Sequence, residues 1–183
     1  MKMKRLLLLI LSLCAIFLCV ACEKPQANKE ETETEKIEIL DATDILLKVW
    51  SNLKIENIEV MGGHYSDPAM GNPAKYDLSQ VADLSLMYCV PEQFISQIDD
   101  ASTMVDLYNA ARFTAVSIHL TENSSQEQLV EAMKQQILQN EWHGESPEKI
   151  LVIGIEDEYV VSVYGRKEIV DEFEKVLKKI YFK

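Results

Sequence analysis

The sequence predicts an α+β fold in which helices pack on one face of an antiparallel sheet. Segments with apolar residues every three or four positions alternate with short β-branched segments, and from residue 112 onward the order is β-α-β-β-α. That order is most of a split βαβ unit, so we expect a ferredoxin-like arrangement in which a strand near Ile58 fills the missing edge. Residues 37–183 are numerous enough to form a single domain with its own core.

The first 21 residues have the composition of a secretory signal peptide. Three of the first five residues are basic, and residues 6–21 are apolar except for Ser12. This run is shorter than the roughly 18–20 residues that a membrane-spanning helix needs, and it ends in small side chains. We therefore expect the mature protein to lack residues 1–21.

Cys22 lies where apolar sequence changes to charged sequence, and its surroundings resemble a bacterial lipobox. Val20 and Ala21 fit the two small positions before the acceptor cysteine, whereas Leu18 lies one place early and Cys19 occupies the usual leucine position. Acyl chains such as palmitate on Cys22 would anchor the protein to the extracytoplasmic face of the cell membrane. Ordinary cleavage after Ala21 and an uncleaved anchor are the alternatives.

The segment after Cys22 predicts a flexible acidic tether. Residues 23–36 offer almost no apolar side chain to bury. The conformational entropy lost on ordering them would therefore exceed the free energy gained from hydrophobic burial. Without the three basic residues of the signal peptide, 15 Lys and Arg remain against 30 Asp and Glu. This negative charge argues against nucleic acid as a partner and leaves the lipid on Cys22 as the contact with the membrane.

Cysteine and histidine usage predicts a domain without disulfide, metal or cofactor. Cys89 is the one cysteine after residue 22, and its apolar neighbourhood favours a buried thiol. The histidines at positions 64, 119 and 143 lack the i, i+4 spacing of a helical zinc site, and no acidic run follows the calcium-loop pattern. We expect a monomer whose stability is insensitive to chelator and reductant.

The first half of the domain mixes one clear helix with weaker patterns. Asp41 or Thr43 can cap a helix that buries residues 45, 46, 49, 50 and 53, and a short strand is expected at 58–61. Residues 61–79 are rich in Gly and Pro and predict a long surface loop, the first place to look for a site. Residues 78–110 read as broken helices, including a turn or helix from Asp99 through Leu107.

The second half is more regular. "RFTAVSIHL" alternates as a strand does, and Ser124 or Ser125 caps a helix that buries Leu129, Met133 and Ile137. "KILVIGI" is apolar on both faces and predicts a central strand, which the acidic turn at 156–158 joins to "YVVSVYG". A last helix buries residues 169, 173, 176, 177 and 180.

If helices cover the Val116 face of this sheet, the other face presents a polar and aromatic surface that a partner can use. Together with two residues of the long loop, this defines the candidate binding residues: His64, Tyr65, Ser117, His119, Ser162 and Tyr164. The alternative is that the helical region 78–110 packs on that face instead.

The pattern from "VWSNLKIENIEVMGGHY" through "IDDASTMVDLYNAARFTAVSIHL" and "KILVIGIEDEYVVSVYG" to the final helix resembles a family of small secreted bacterial lipoproteins whose domain has no assigned function. The landmarks are Gly62, Asp99, Asp100 and Gly165. The resemblance implies that the protein is secreted and anchored by lipid, and it assigns no catalytic residue.

No G-x-S-x-G, S-x-x-K or nucleotide-binding glycine loop is present. The sequence therefore favours a module that binds an envelope protein or a small ligand. A hydrolase or a metal-dependent enzyme of the envelope is the alternative.

A Cys22→Ala variant tests the lipid anchor. It should lose labelling by a palmitate analogue and either leave the membrane fraction or remain as unprocessed precursor, because the acyl acceptor is gone. Fractionation and mass spectrometry of the amino terminus measure this, with Cys19→Ala as the matched control. Wild-type mature protein without lipid would contradict the prediction.

Overall fold

A computed structural model describes residues 37–122 and 124–182 as seven antiparallel strands and a set of helices, which confirms the α+β class. The signal peptide, Cys22 and the tether lie outside the described residues. The α-helices are α1 (Ala42–Trp50), α2 (Val81–Tyr88), α3 (Gln126–Gln139) and α4 (Lys167–Tyr181). Short 3-10 helices span Leu78–Gln80 and Glu92–Gln97.

The strands are β1 (Val60–Gly62), β2 (Ala69–Met70), β3 (Ala74–Lys75), β4 (Ile98–Asp106), β5 (Phe113–Leu120), β6 (Lys149–Ile155) and β7 (Tyr159–Gly165). Their order is β2-β1-β4-β5-β7-β6, and β3 pairs with β4 beside β1. Because β7 lies between β5 and β6, the split βαβ unit is present. The strand near Ile58 does not fill the edge beside β5, since β4 occupies that place.

Helices cover both faces of the sheet, so the expectation of helices on one face is wrong. On one face, α1 and α4 enclose a core that includes Ile45, Phe113 and Phe173. On the other face, α2, α3 and the 92–97 segment enclose a core that includes Tyr88 and Leu129. Two covered faces require strands that are buried at every position, and β7 is buried throughout its length.

The starts of α1 and α3 agree with the sequence, whereas α1 ends at Trp50, before the predicted inward residue Leu53. Asp41 caps α1 by accepting a hydrogen bond from the Asp44 N–H at 2.7 Å, and Ser125 caps α3. The predicted inward residues of α3 are buried, as are those of α4 except for Ile180, which is half-buried.

Three local expectations are wrong. Residues 98–106 form β4 rather than a turn or helix, and "KILVIGI" forms the edge strand β6 rather than a central one. The 61–79 region contains β2 and β3 and buries His64 and Tyr76, so it is not simply a surface loop.

Gln126, the first residue of α3, joins this helix to the β6–β7 turn. Its Nε2 donates to the main-chain oxygens of Glu156 and Tyr159 at 2.8 and 2.7 Å. Gly154 allows this approach, because a Cβ there would lie 2.2 Å from Gln126 Oε1. The side chain thereby links the start of α3 to the backbone of the β6–β7 hairpin.

A Gln126→Glu variant should lower the free energy of unfolding by about 1–3 kcal/mol, because a carboxylate cannot donate to these carbonyl groups. Gln128→Glu is the control, since it adds the same charge to the same helical turn at an exposed position, where a change within about 0.5 kcal/mol is expected. Chemical denaturation measures both variants. Equal effects of the two substitutions would contradict the assigned role.

Candidate functional site

The 62–71 segment is held in place at its two ends. A Cβ at Gly62 would lie 2.4 Å from the Ala74 backbone nitrogen, so the 72–74 chain can pass this closely only over glycine. At the other end, Gly71 donates its N–H to the Val60 carbonyl at 2.8 Å, and Trp50 Nε1 donates to the Gly71 carbonyl at 3.0 Å. Both ends of the segment are therefore fixed.

Thr103 of β4 fixes the middle of this segment at Gly63. The Gly63 N–H donates to Thr103 Oγ1, and the same hydroxyl donates to the Gly63 carbonyl, both at 3.1 Å. Tyr88 of α2 also donates its hydroxyl to that carbonyl at 3.2 Å. Gly63 has a φ of +78°, which favours glycine at this position. The backbone that enters His64 is thus set by buried hydrogen bonds to a strand and a helix.

His64 follows this junction and is buried, with 7 % of its surface exposed. Its Nε2 lies 3.0 Å from Asp83 Oδ2, on α2. Its Nδ1 lies 2.7 Å from Ser66 Oγ and accepts a hydrogen bond from the Ser66 backbone N–H at 3.3 Å. The imidazole therefore bridges a carboxylate and a serine hydroxyl.

These contacts define the tautomer of neutral His64. A backbone N–H can only donate, so Nδ1 is the acceptor, and an ionised carboxylate can only accept, so Nε2 carries the proton. The lone pair of Nδ1 consequently points towards Ser66.

Aromatic rings enclose the imidazole. The Tyr76 ring meets it edge-on with centroids 5.8 Å apart, and the Tyr65 ring lies 4.1 Å away. Tyr76 is buried and donates its hydroxyl to the Gln80 carbonyl, and burial raises the pKa of this phenol. Tyr65 and Ser66 are exposed. The segment therefore presents one ring and one hydroxyl to solvent above a buried histidine.

His119 lies elsewhere, at the end of β5. Its Nδ1 is 2.5 Å from Asp99 Oδ1, its Nε2 is 3.6 Å from Glu158 Oε2, and its ring packs against Tyr159. Partial burial alone would lower the pKa of His119, but the hydrogen bonds and charges of Asp99 and Glu158 outweigh it and raise that pKa. These contacts make His119 part of an ion-pair group at the edge of the domain.

The expected polar face of the sheet does not exist. Ser117 lies on the face that α1 and α4 cover, whereas Ser162 pairs with Val116 and lies on the opposite face together with Tyr164. All three residues are fully buried. Side chains at directly paired positions point to the same face, so the assignment of 117 and 162 to one surface was wrong.

Cys89 is a buried free thiol, as predicted. Burial raises its pKa, and Tyr164 Oη lies 3.9 Å from Sγ. The thiol therefore resists ionisation and lacks the thiolate character of a reactive cysteine.

Open clefts lie away from the 62–71 segment. One of about 330 Å³ is lined by residues 37–39 and by Glu156, Glu158 and Tyr159. Another of about 600 Å³ is lined mainly by residues 144–146, Glu148, Arg166 and Glu168. Across residues 37–122 and 124–182, no three His, Cys, Asp or Glu side chains group as metal ligands do. The same residues contain no helix long and apolar enough to span a bilayer.

Comparison with known proteins yields no match to a family model, a curated protein or a solved structure. The class of the chain is therefore defined by its own geometry, as an α+β protein with an antiparallel seven-stranded sheet between two helical layers.

Sequence reasoning identified His64 and Tyr65 but missed Ser66, Asp83 and Thr103. A serine two residues from a histidine is a weak signal, and Asp83 and Thr103 reach the segment only through the packing of α2 and β4.

A Thr103→Val variant should lower the free energy of unfolding by about 1–3 kcal/mol, because it leaves the buried Gly63 N–H without an acceptor. Thr103→Ser keeps the hydroxyl and should retain most of that stability. Thermal and denaturant unfolding of both variants measure this. Serine as destabilising as valine would contradict the proposed role of the hydroxyl.

Proposed function

We propose that this chain is a lipid-anchored extracytoplasmic protein that binds a partner protein or small ligand at the cell envelope, and that its 62–71 segment makes the contact. The proposed location is supported by the signal-like residues 1–21, the lipobox-like cysteine at position 22 and the predicted acidic tether. The binding role rests on the geometry of the segment.

The binding role is supported by two exposed apolar side chains on a segment whose backbone is hydrogen-bonded at Gly63 and Gly71. Tyr65 is 56 % exposed and Met70 is 58 % exposed. Tyrosine and methionine are enriched at protein interfaces, and tyrosine is a frequent source of binding energy. Because hydrogen bonds to Thr103 and Trp50 already fix the backbone, little further ordering is needed when a ligand binds.

The rest of the surface supports a binding partner other than nucleic acid. The sequence without residues 1–21 has twice as many acidic as basic residues. A surface of this sign disfavours phosphate backbones and favours neutral or basic ligands.

Site-specific photo-cross-linking of the full lipidated chain tests the binding role. A benzoylphenylalanine at position 65 or 70 should give a discrete adduct on irradiation of cells. The same probe at Leu138, an equally exposed residue of α3, should give none. Adducts of equal yield at all three positions, or at none of them, would contradict the proposal.

A further inference from the structure

We infer that Ser66 is a nucleophile activated by His64 and Asp83, and that the site accepts ester or other activated acyl substrates. This inference goes beyond the proposed binding role, because it assigns covalent chemistry to the 62–71 segment.

Asp83, His64 and Ser66 form a hydrogen-bonded chain in which the carboxylate orients the base and the base faces the hydroxyl. Asp83 Oδ2 accepts from His64 Nε2 at 3.0 Å, and His64 Nδ1 lies 2.7 Å from Ser66 Oγ. A hydroxyl is a weak nucleophile until a base removes its proton, and a base oriented by a third group is the recurrent solution. The Ser66 backbone N–H also donates to Nδ1 at 3.3 Å, so the acceptor nitrogen of the imidazole faces the serine.

Burial separates the base from water but leaves the nucleophile accessible. His64 is 7 % exposed, the Asp83 side chain is 27 % exposed, and Ser66 is exposed. A carboxylate beside a shielded imidazole stabilises the imidazolium that forms when the serine proton is transferred. The exposed Tyr65 ring beside His64 gives an acyl chain an apolar surface to contact.

The charges around Ser66 select the class of substrate. Asp67 follows Ser66 in the chain, and Asp83 lies 3.0 Å from His64, so two carboxylates accompany the serine. Anionic phosphate esters would be repelled by these carboxylates, whereas neutral and cationic acyl compounds would not.

The reaction balances without a cofactor. Ser66 Oγ bonds to the carbonyl carbon as its proton passes to His64 Nδ1, and the carbonyl π electrons move to the oxygen. The tetrahedral intermediate then expels the leaving alcohol, which takes the proton from Nδ1 and leaves the acyl group on Ser66. Water then attacks the acyl carbon while His64 Nδ1 takes its proton. The second tetrahedral intermediate expels Ser66 Oγ, which recovers the proton from Nδ1, and the carboxylic acid is released.

Labelling of the full chain by a fluorophosphonate probe tests the inference, with the modified residue located by peptide mass spectrometry. Ser66 should be labelled, Ser66→Ala should abolish that label, and Asp83→Asn should slow it by roughly tenfold or more. Asp157→Asn is the matched control, since it makes the same substitution at an exposed carboxylate of the β6–β7 turn, outside the 62–71 segment. It should leave the labelling rate within about twofold.

Circular dichroism and melting curves of each variant separate loss of fold from loss of reactivity. Absence of Ser66 labelling in folded wild-type protein, or equal rates for Asp83→Asn and Asp157→Asn, would overturn the inference. Neither result affects the binding role, because cross-linking from position 65 should be unchanged in Ser66→Ala.

Discussion

The paired hydrogen bonds between Thr103 and Gly63 are the contact on which the 62–71 segment depends. They join the interior of β4 to a residue 40 positions earlier in the chain, in a place where water cannot replace them. Gly63 supplies the positive φ, Gly62 admits the adjoining chain, and the Tyr88 hydroxyl completes the junction. The orientation of His64, and so its contacts with Ser66 and Asp83, follows from this anchor.

The outcome of the fold predictions depended on where the stabilising partners lie. Helices α1, α3 and α4 were predictable because an apolar stripe is a local feature, and α1 and α3 also have the side-chain caps Asp41 and Ser125. β4 was missed because Ser102 and Thr103 are buried polar residues whose hydrogen-bond partners lie about thirty to forty positions away. β6 was placed centrally because it is apolar on both faces. Helices α3 and α4 cover those faces, although β6 has a strand neighbour on one side only. A strand that is apolar on both faces is therefore one that helices cover on both faces, and it can lie at the centre or at the edge of the sheet.

The same reasoning applies to the site. A Gly-rich segment with a histidine was identifiable, because clustered glycine and proline indicate turns and long segments of this kind are often functional. The partners of the histidine were not identifiable, since Asp83 belongs to a helix whose docking no local pattern specifies. The proposed face of Ser117 and Ser162 failed for a related reason: strand pairing determines which residues share a face, and register is a long-range property.

The tautomer of His64 tests this account most directly, because it reports the two contacts that the anchored segment imposes. Long-range ¹H–¹⁵N correlation spectra of the full chain, recorded where His64 is neutral, resolve the two ring nitrogens. The account predicts a single form with the proton on Nε2 and an unprotonated Nδ1 facing Ser66, and predicts that Asp83→Asn weakens this preference. A proton on Nδ1, or an averaged mixture like that of free histidine, would contradict it.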